Sequence, residues 1–482
     1  MIAELIFDWA RKTPDRTAIV VNGQPCSYRS FAEFIAVARG FFARRDCVGP
    51  GVAVVASHHL VDFWVISAAL RSLGLTTIAA QSVEAIGQLG LPGLRFVVTT
   101  VGENWEGLEQ LCATKGLRLL KMDPEGEAPL DLDAAAPCQP GGHILQTSGT
   151  TGVYKNVLID PSFEPEFTRR RVHDSGVTRD SVVNLFGMGG WTGGGYKSAV
   201  AVWWVGATAV IDQRSVRHLA LLYPGITHAL LTPAMLDAIL AAPEGSFPRN
   251  PAMRLNVTGG TLTQTQIDAA KARITPQLYN GLGATETSTF GYTPLDTPDD
   301  HRWHLLVPGV AVEIVDDFDQ PLPRGELGRV RVSTKGGPTS YLHDEEATRA
   351  FFKDGFFYPG DLGVIRADGR MALHGRFTDV INMNGLKISP APVEDRLREA
   401  LGVRGVCLLS MQNERGEEEI HVIIESRIPI DSRELSAALR LELSGFPQGH
   451  VHYVPALPRN SMGKLLRLAA REQAVARMAA AG

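Results

Sequence analysis

The stretch from Gln146 to Lys155 contains the chain's densest set of groups that could hold phosphate. Every residue from Thr147 to Gly152 is Gly, Ser or Thr, and Lys155 follows three positions later. Such a run adds almost no apolar side chain to a core, but it offers backbone N–H groups, hydroxyls and a cation to a polyphosphate. The Walker A pattern G-x-x-x-x-G-K-[ST] cannot be read through it in any frame. A Ser/Thr/Gly surface loop is the alternative on these residues alone.

A second polar stretch, residues 280–287, places a hydroxyl and a carboxylate after a probable strand and a Gly-rich turn. Here Glu286 could hold Mg²⁺, because hard cations prefer oxygen ligands, and Thr285 could contact phosphate. The alternative is an ordinary hairpin turn with a solvated glutamate.

Three further charged residues stand next to Pro or Gly turns. Asp361 follows a Pro-Gly pair, where a carboxylate could accept both hydroxyls of a ribose, although an Asx turn is the plainer interpretation. Arg376 follows a glycine and could be a ligand contact or an interdomain salt bridge. Lys464 lies in a Pro/Gly-bounded loop near the C-terminus, where a solvated lysine is the usual meaning.

Apolar periodicity in the rest of the chain predicts the elements that must position these residues. Helical and strand signals alternate through residues 1–140 and again through residues 182–279, which predicts α/β layering with at least partly parallel sheets. Period-2 segments between turns at 305–335 predict a small antiparallel or barrel-like β element. From residue 376 onward, helix and strand signals and an Ala-rich tail predict a small α+β domain.

Composition restricts the class of protein. The 482 residues suggest two to four domains, and 44% apolar with 21% charged residues is typical of a globular protein. The net charge of −5 gives no electrostatic reason to expect nucleic acid or an anionic membrane as a partner. No signal peptide is visible, and the longest strongly apolar stretch, Ser198 to Ile211, is too short for a membrane span. Five cysteines without a C-x-x-C pair fit a reduced cytosol, so we expect a cytoplasmic enzyme.

The joint order of the polar motifs is more specific than any one of them. In order and rough spacing, the chain resembles the adenylate-forming superfamily of acyl- and aryl-CoA synthetases, peptide-synthetase adenylation domains and luciferases. The motifs that carry the resemblance are Thr147–Lys155, Gly283–Glu286, Gly360-Asp361, Gly375-Arg376 and Gly463-Lys464. It implies a large N-terminal α/β domain, about 1–375, that binds ATP and a carboxylate. A small mobile C-terminal domain, 376–482, would close over both.

The reaction that this resemblance implies has two halves. A substrate carboxylate attacks the α-phosphate of MgATP to give an acyl-adenylate and pyrophosphate, and a thiol then displaces AMP to give a thioester. The first half brings two anions together, so catalysis should depend on positioning and charge stabilisation. ATP, Mg²⁺ and the co-substrate CoA are the implied cofactors.

Residue roles come from the same resemblance. Thr285 and Glu286 would bind the α-phosphate and the metal ion. The ribose would be fixed by Asp361 and Arg376. Lys464 would bridge the carboxylate and the α-phosphate. The β- and γ-phosphates would be held by Thr147, Ser148, Thr150, Thr151 and Lys155.

The C-terminal domain of the family swings between the two half-reactions. Thr378, or else Asp379, would be the hinge, and Gly385 would line the channel for the thiol. Leu282 stands where the family has an aromatic that stacks on adenine, which leaves an apolar cover. Further departures from the family pattern are Tyr154, Asn156 and Pro359.

The acyl pocket is expected to suit an uncharged acid. Trp191 would face the carboxylate site, with a core position as the alternative. Gly193 falls where domains that activate α-amino acids place an Asp, and a buried ammonium needs a partner, so an amino-acid substrate is disfavoured. For Lys197 we expect a structural salt bridge rather than a second substrate carboxylate. Room for an aliphatic or aryl acid is expected at Gly193, Gly194, Gly195, Gly259, Gly260, Gly281 and Gly283.

The sequence leaves two candidates for the thiol that accepts the acyl group. CoA is the preferred thiol, and a carrier protein's phosphopantetheine is the close alternative. A degenerate, non-catalytic nucleotide-binding protein is the alternative from another class, and the retained charged residues argue against it.

Overall fold

The computed structural model describes most of the chain, namely residues 2–132, 139–148, 154–186, 188–212, 214, 216–383, 386–413, 418–444, 446, 449–459 and 465–481. The first elements are α1 Ile2–Lys12, β1 Thr17–Val21, β2 Gln24–Ser27, α2 Tyr28–Ala43, β3 Val52–Val55, α3 Leu60–Ser72, β4 Thr76–Ala79, α4 Val83–Gln88, β5 Leu94–Thr100, α5 Leu108–Lys115, β6 Arg118–Met122, β7 His143–Ser148 and β8 Tyr154–Ile159. Next come α6 Glu164–Ser175, β9 Val182–Asn184, α7 Gly193–Trp204, β10 Thr208–Ile211, β11 His228–Leu231, α8 Pro233–Leu240, β12 Arg254–Thr258, α9 Gln264–Arg273, β13 Leu278–Ala284 and β14 Ser288–Pro294.

The last third of the chain is richer in short strands. Its elements are β15 Val312–Val315, β16 Gly328–Ser333, α10 Glu345–Phe351, β17 Phe352–Lys353, β18 Phe356–Phe357, β19 Asp361–Ile365, β20 Met371–Arg376, β21 Ile381–Met383, β22 Leu386–Ile388, α11 Pro390–Ala400, β23 Val406–Gln412, β24 Glu418–Glu425, α12 Ser432–Glu442, β25 His450–Val454 and α13 Arg467–Ala481.

Two large sheets form the α/β part. One has eight strands in the order β14-β13-β12-β11-β9-β10-β1-β2, and the other has six in the order β6-β5-β3-β4-β7-β8. Pairing is parallel except at three edges, where β2, β8 and β14 run antiparallel to their neighbours. The predicted α/β layering with partly parallel sheets is therefore confirmed.

Smaller sheets follow. An antiparallel sheet contains β17-β18-β16-β19-β20, with β15 paired to β16, and provides the small β element expected near residues 305–335. The C-terminal part contains the β21–β22 pair and the three-stranded sheet β23-β24-β25. It has apolar clusters of its own, one beneath α11 and α12 and one beneath α13.

Polar caps define where several helices begin. The Thr192 hydroxyl accepts a hydrogen bond from Gly195 N (3.0 Å) at the start of α7. Thr263 and Gln266 form a capping box at the start of α9. Apolar periodicity predicts a helix at 234–241 and a strand at 253–258, and both are present with ends shifted by at most one residue. Boundaries of this kind are set by the cap and not by apolar periodicity.

The apolar stretch from Ser198 to Ile211 is two elements rather than one. It contains the end of α7 and all of β10, joined by a tight turn at Gly206. Gly206 has φ +73°, and an added Cβ would lie 2.6 Å from the indole of Trp9, so glycine is needed for both reasons. In the part of the chain that the structure describes, no helix is long and apolar enough to cross a membrane.

A buried ion pair joins helices that lie between the two large sheets. The Arg71 guanidinium of α3 and the Glu164 carboxylate at the start of α6 are 2.7 Å apart, with side chains 4% and 2% exposed. The Tyr196 hydroxyl of α7 donates to Glu164 (2.6 Å), and Arg71 Nε donates to Gly141 O (2.8 Å). Arg71 and Glu164 are thus each bonded by further partners inside the protein.

His143, at the start of β7, is stacked on Tyr196 with ring centroids 4.4 Å apart. Its Nε2 donates to Gly190 O (2.9 Å), so Nδ1 of the neutral ring accepts from the Thr77 hydroxyl (2.8 Å). Burial, helped by the nearby positive charge of Arg71, lowers the pKa of His143 to about 3.

We predict that His143 makes the protein lose stability as pH falls below about 6.5. The unfolded ring takes up a proton near its ordinary pKa of about 6.5, whereas the folded ring does not until about pH 3. Stability is therefore complete above about pH 6.5 and decreases as the pH falls toward 3, by roughly 5 kcal/mol in all at about 1.4 kcal/mol per pKa unit. Urea unfolding across pH 7.5 to 4.5 measures the slope.

His143→Gln should flatten that slope, since an amide does not titrate there. The exposed His173 offers the control, because His173→Gln removes an imidazole outside the core. An unchanged slope in His143→Gln would show that this imidazole is not the source.

Candidate active site

Thr285 and Glu286 lie in the turn between β13 and β14. The two strands pair antiparallel with a bulge between Leu282 and Gly283. A Cβ on Gly283 would lie 2.5 Å from the backbone oxygen of Ser288, so this glycine allows the strands to approach closely. The hairpin turns inward, and Glu286 is only 5% exposed.

The Glu286 carboxylate is not solvated, which excludes the simple hairpin alternative. The Tyr341 hydroxyl donates to Glu286 Oε1 (2.7 Å). Burial and the neighbouring Glu286 raise the pKa of Tyr341, so the hydroxyl keeps its proton and stays a donor. Because Tyr341 uses Oε1, Oε2 is the oxygen that could meet a hard cation such as Mg²⁺.

Lys155 lies on the same side of the molecule, in the β7–β8 hairpin. It pairs with Thr147 across the two strands. Its ammonium lies 3.6 Å from the ring centroid of Phe351 and 5.5 Å from that of Tyr341. Burial lowers the pKa of Lys155, while the negative charge of Glu286 acts against that shift. Tyr341 therefore links the two predicted residues, since it contacts both.

The N-terminus of α7 meets the Thr285 turn. A Cβ on Gly193 would lie 2.8 Å from the Thr285 hydroxyl, so the first residue of the helix and that side chain are neighbours. One turn later, Lys197 donates to Thr285 O (2.6 Å), and its ammonium lies 4.0 Å from the ring centroid of Phe167. Burial, and then Arg171, lower the pKa of Lys197 well below its usual range.

The salt bridge expected for Lys197 is wrong for the described part of the chain. No carboxylate there lies within ion-pair distance of its ammonium, and a backbone carbonyl takes that place. The sequence showed a lysine near Gly193 but not that α7 turns it toward Thr285.

The glycines expected to leave room differ in what they do. Gly259 has φ +90° and only Thr232 within 4.0 Å of an added Cβ, and Gly194 is similarly open. Space at Gly281 and Gly283 is already filled, because a Cβ there would lie 3.0 Å from Asn256 and 2.5 Å from Ser288. The expectation of pocket room at these two positions is corrected: they serve strand packing.

Trp191 and Leu282 are both partly buried, each against a different apolar cluster. Trp191 is partly buried against the largest apolar cluster and covers Gly189, where an added Cβ would lie 2.0 Å from its ring. Leu282 is partly buried beside the cluster that contains Phe290. Leu282 therefore packs against an apolar cluster, and its place beside the adenine stays a prediction.

Asp361 and Arg376 are direct partners. They face each other across β19 and β20, and Arg376 Nε lies 3.2 Å from Asp361 Oδ1. Arg376 also donates to Pro359 O. The side chains of the two residues assigned to the ribose are thus in direct contact.

Only some of the remaining predicted residues lie in the described part of the chain. Thr378 is exposed in a short turn, Phe377–Asp379, and Asp379 pairs with Arg467 Nε at 2.8 Å. Ser148 ends β7. Outside the described residues lie Thr150, Thr151, Gly385 and Lys464.

Sequence reasoning missed Tyr341 and Phe351. Both lie in the segment around α10, outside all of the motifs, and an isolated aromatic carries no chemical signal in a sequence. Only the contacts with Glu286 and Lys155 show that they belong to the site.

We predict that Tyr341→Phe slows the carboxylate-dependent ATP–pyrophosphate exchange expected from the resemblance. A hydrogen bond to a charged group contributes about 1.5–3 kcal/mol, so the rate should fall roughly tenfold to a hundredfold. Tyr28→Phe is the matched control, because its buried hydroxyl also donates over 2.7 Å, to Ala207 O in the core. Equal loss of rate in both variants would mean that Tyr341 acts only through stability.

A family model and several relatives match most of the chain. Residues 6–342 match the family described as AMP-binding enzyme. The chain is 25% identical to a 4-chlorobenzoate–CoA ligase of an Arthrobacter species, over 97% of this chain and 94% of that protein. It is 26% identical to the fatty acid–[acyl-carrier-protein] ligase ScoC of Streptomyces coeruleorubidus, over 68% of this chain and 66% of that protein.

A solved structure supports the fold. ATP-bound MatB from Rhodopseudomonas palustris superimposes with a TM-score of 0.83 and 21% identity, covering 98% of this chain and 99% of that one. The expected fold class and enzyme class are confirmed at the level of the family. The chain belongs to the family of AMP-binding enzymes.

Proposed function

We propose that the protein activates an uncharged aliphatic or aryl carboxylic acid with ATP and transfers the acyl group to CoA. It is an AMP-forming acid–thiol ligase that works through an acyl-adenylate. The observation that carries this proposal is the Thr285–Glu286 turn, which α7 meets at its N-terminus and Tyr341 connects to Lys155.

The first half-reaction needs positive potential where two anions meet. Lys155 supplies an ammonium, and the N-terminus of α7 adds a partial positive charge beside the Thr285 hydroxyl. Glu286 would hold Mg²⁺, which neutralises phosphate charge when bound. The α-phosphate would lie at Thr285, and the leaving pyrophosphate would be held by Thr147, Lys155 and the Ser/Thr/Gly residues between them.

The nucleoside end would be fixed by Asp361 and Arg376. Their ion pair places a carboxylate, 18% exposed, at the start of β19, where it can accept ribose hydroxyls. The partly exposed Arg376 side chain holds that carboxylate in position. Leu282 would cover one face of the adenine.

The acyl pocket would lie between α7 and the β12–β13 edge. Space beside Gly194 and Gly259 leaves room for an acyl or aryl group. Lys197 is already bonded to Thr285 O, so it does not require a second substrate carboxylate. Acids without a second charge, such as those in the names of the two relatives above, fit this arrangement.

For the second half-reaction we propose CoA as the acceptor. The CoA ligase relative aligns over nearly the whole chain, whereas the carrier-protein ligase aligns over two thirds of it. A carrier protein's phosphopantetheine is the alternative acceptor, supported by that second relative.

The C-terminal domain, 376–482, would rotate between the two halves and bring Gly385 to the thiol channel. Thr378 is the better hinge of the two candidates. Asp379 is tied to Arg467, which also pairs with Glu394 at 2.6 Å, so Asp379 moves with the C-terminal elements. The exposed Thr378 precedes that connection.

A cytoplasmic location agrees with the cysteines. Cys26, Cys47, Cys112 and Cys407 are all free thiols, as expected in a reducing compartment.

We predict that ATP–pyrophosphate exchange depends on a monocarboxylic acid. A panel of fatty, aryl, dicarboxylic and amino acids, with hydroxamate trapping, should give most activity with fatty or aryl acids, because Gly193 offers an ammonium no partner. AMP release with CoA compared with a holo-carrier then identifies the acceptor. Amino acids that outperform simple acids would contradict the pocket argument, and no exchange with any acid would favour a non-catalytic nucleotide-binding protein.

We also predict that Lys464→Ala separates the two half-reactions. Loss of a transition-state donor should reduce adenylation by at least roughly 10²–10³-fold. Thioester formation from supplied acyl-adenylate should survive, because that step does not use the bridge between carboxylate and α-phosphate. Single-turnover assays of each half measure both rates, and equal loss in the two would remove the assigned role.

A further inference from the structure

We propose that the C-terminal sheet carries a binding site for a divalent transition-metal ion, with Zn²⁺ as the best fit, formed by Glu419, His421 and His450. One possible ligand atom from each of these residues lies within 4.8 Å of the other two. None of these three residues belongs to the set assigned to ATP or carboxylate chemistry above.

The sheet register brings these side chains together. Strands β24 and β25 pair in parallel, with His421 opposite His450. Glu419 and His421 are two residues apart on β24, and so share a face, as do His450 and His452 on β25. This face also carries Ile423 and Val454, which pack beneath α13. The register therefore gathers three imidazoles and one carboxylate in one place.

The three candidate ligands differ in how far they are exposed to solvent. His421 is 3% exposed and fixed, whereas the His450 and Glu419 side chains are 54% and 35% exposed. Ligands around a tetrahedral Zn²⁺ lie about 3.3 Å apart, because each bond is about 2.0–2.1 Å. Small rotations of the two accessible side chains can close the remaining distance, and their exposure gives an ion a path of entry.

Outer contacts already orient the ligands as they do in metal sites. Asn413 Nδ2 donates to Glu419 Oε1 (2.9 Å), which leaves Oε2 for the ion. His421 Nδ1 and His452 Nε2 lie 2.9 Å apart, so ligation through Nε2 of His421 would keep that hydrogen bond. Ligating imidazoles commonly use their second nitrogen in this way, which assigns His452 a positioning role.

The charges favour a metal ion over added protons. Ring centroids of His421 lie 4.9 Å from those of His450 and 5.2 Å from those of His452, so protonating several rings would create repulsion. A neutral imidazole has the lone pair that a metal ion needs. Arg471 opposes a cation, and the Glu419 carboxylate offsets that charge.

At rest, His450 Nε2 donates to Glu419 Oε2 (2.9 Å). A bound ion would replace the proton between these two atoms. Imidazole and carboxylate ligands together suit Zn²⁺ and its neighbours in the first transition row, while Mg²⁺ prefers oxygen ligands alone. Mg²⁺ at the concentration used for ATP should therefore not compete.

The test uses the full chain without a histidine tag, stripped with a chelator and then given ZnCl₂ in the presence of MgCl₂. We expect about one Zn²⁺ per chain by calorimetry and by elemental analysis after gel filtration. Co²⁺ in place of Zn²⁺ should give the intense visible absorption of a tetrahedral site. Glu419→Gln and His450→Gln, which change accessible side chains, should each weaken Zn²⁺ binding at least tenfold, and His452→Gln roughly tenfold.

His173→Gln is the matched control, since His173 pairs with Asp174 (3.3 Å) as His450 does with Glu419, but it lies on α6 and not on this sheet. It should leave Zn²⁺ binding unchanged. Circular dichroism and the unfolding temperature establish that each variant is folded. Absence of Zn²⁺ binding, or binding that is equally strong in the folded double variant Glu419→Gln/His450→Gln, would overturn the proposal.

Discussion

The buried contact among Arg71, Glu164 and Tyr196 is the constraint on which the geometry of the site depends. Removing two charges from water costs several kcal/mol per ion, and their attraction offsets this only when the remaining polar atoms are bonded. Here both Arg71 and Glu164 have further partners, and Glu164 raises the pKa of Arg71 although burial opposes its charge. Because Tyr196 lies on α7, this contact fixes the helix whose first residue meets Thr285.

The same region sets the position of the β7–β8 hairpin. Tyr196 is stacked on His143, the first residue of β7. Thr147 lies on the same strand and pairs with Lys155 on β8. Both hairpins that carry site residues are antiparallel edges of sheets whose interior strands are parallel. Interior strands are hydrogen-bonded to a neighbour on each side, and parallel neighbours need a long crossover connection. Antiparallel neighbours at an edge can be joined by a short hairpin, which can present backbone and side chains to a ligand.

The sequence predicted much of this, for reasons that are local. Apolar periodicity predicts helices at 31–42 and 61–73 and strands at 95–100 and 253–258, whose ends fall within three residues of those of α2, α3, β5 and β12. The order of short polar motifs identified the family. The sequence could not predict contacts between distant segments. Glu164 lies 93 residues after Arg71, and Tyr341 lies 55 residues after Glu286, with no motif to connect either pair. Gly283 likewise looked like pocket space, because its crowding by Ser288 appears only once β13 and β14 are paired.

The balance of charge around Thr285 explains why such a site should bind anions tightly. Burial lowers the pKa of both Lys155 and Lys197, which means that the folded protein holds these ammonium groups at a cost in solvation. Glu286 is the carboxylate whose charge acts on both of them. A polyphosphate or a carboxylate that enters this region supplies the missing negative charge, so binding recovers part of the solvation lost on folding. The cations are then already oriented, and little reorganisation remains when negative charge shifts between acid and phosphate.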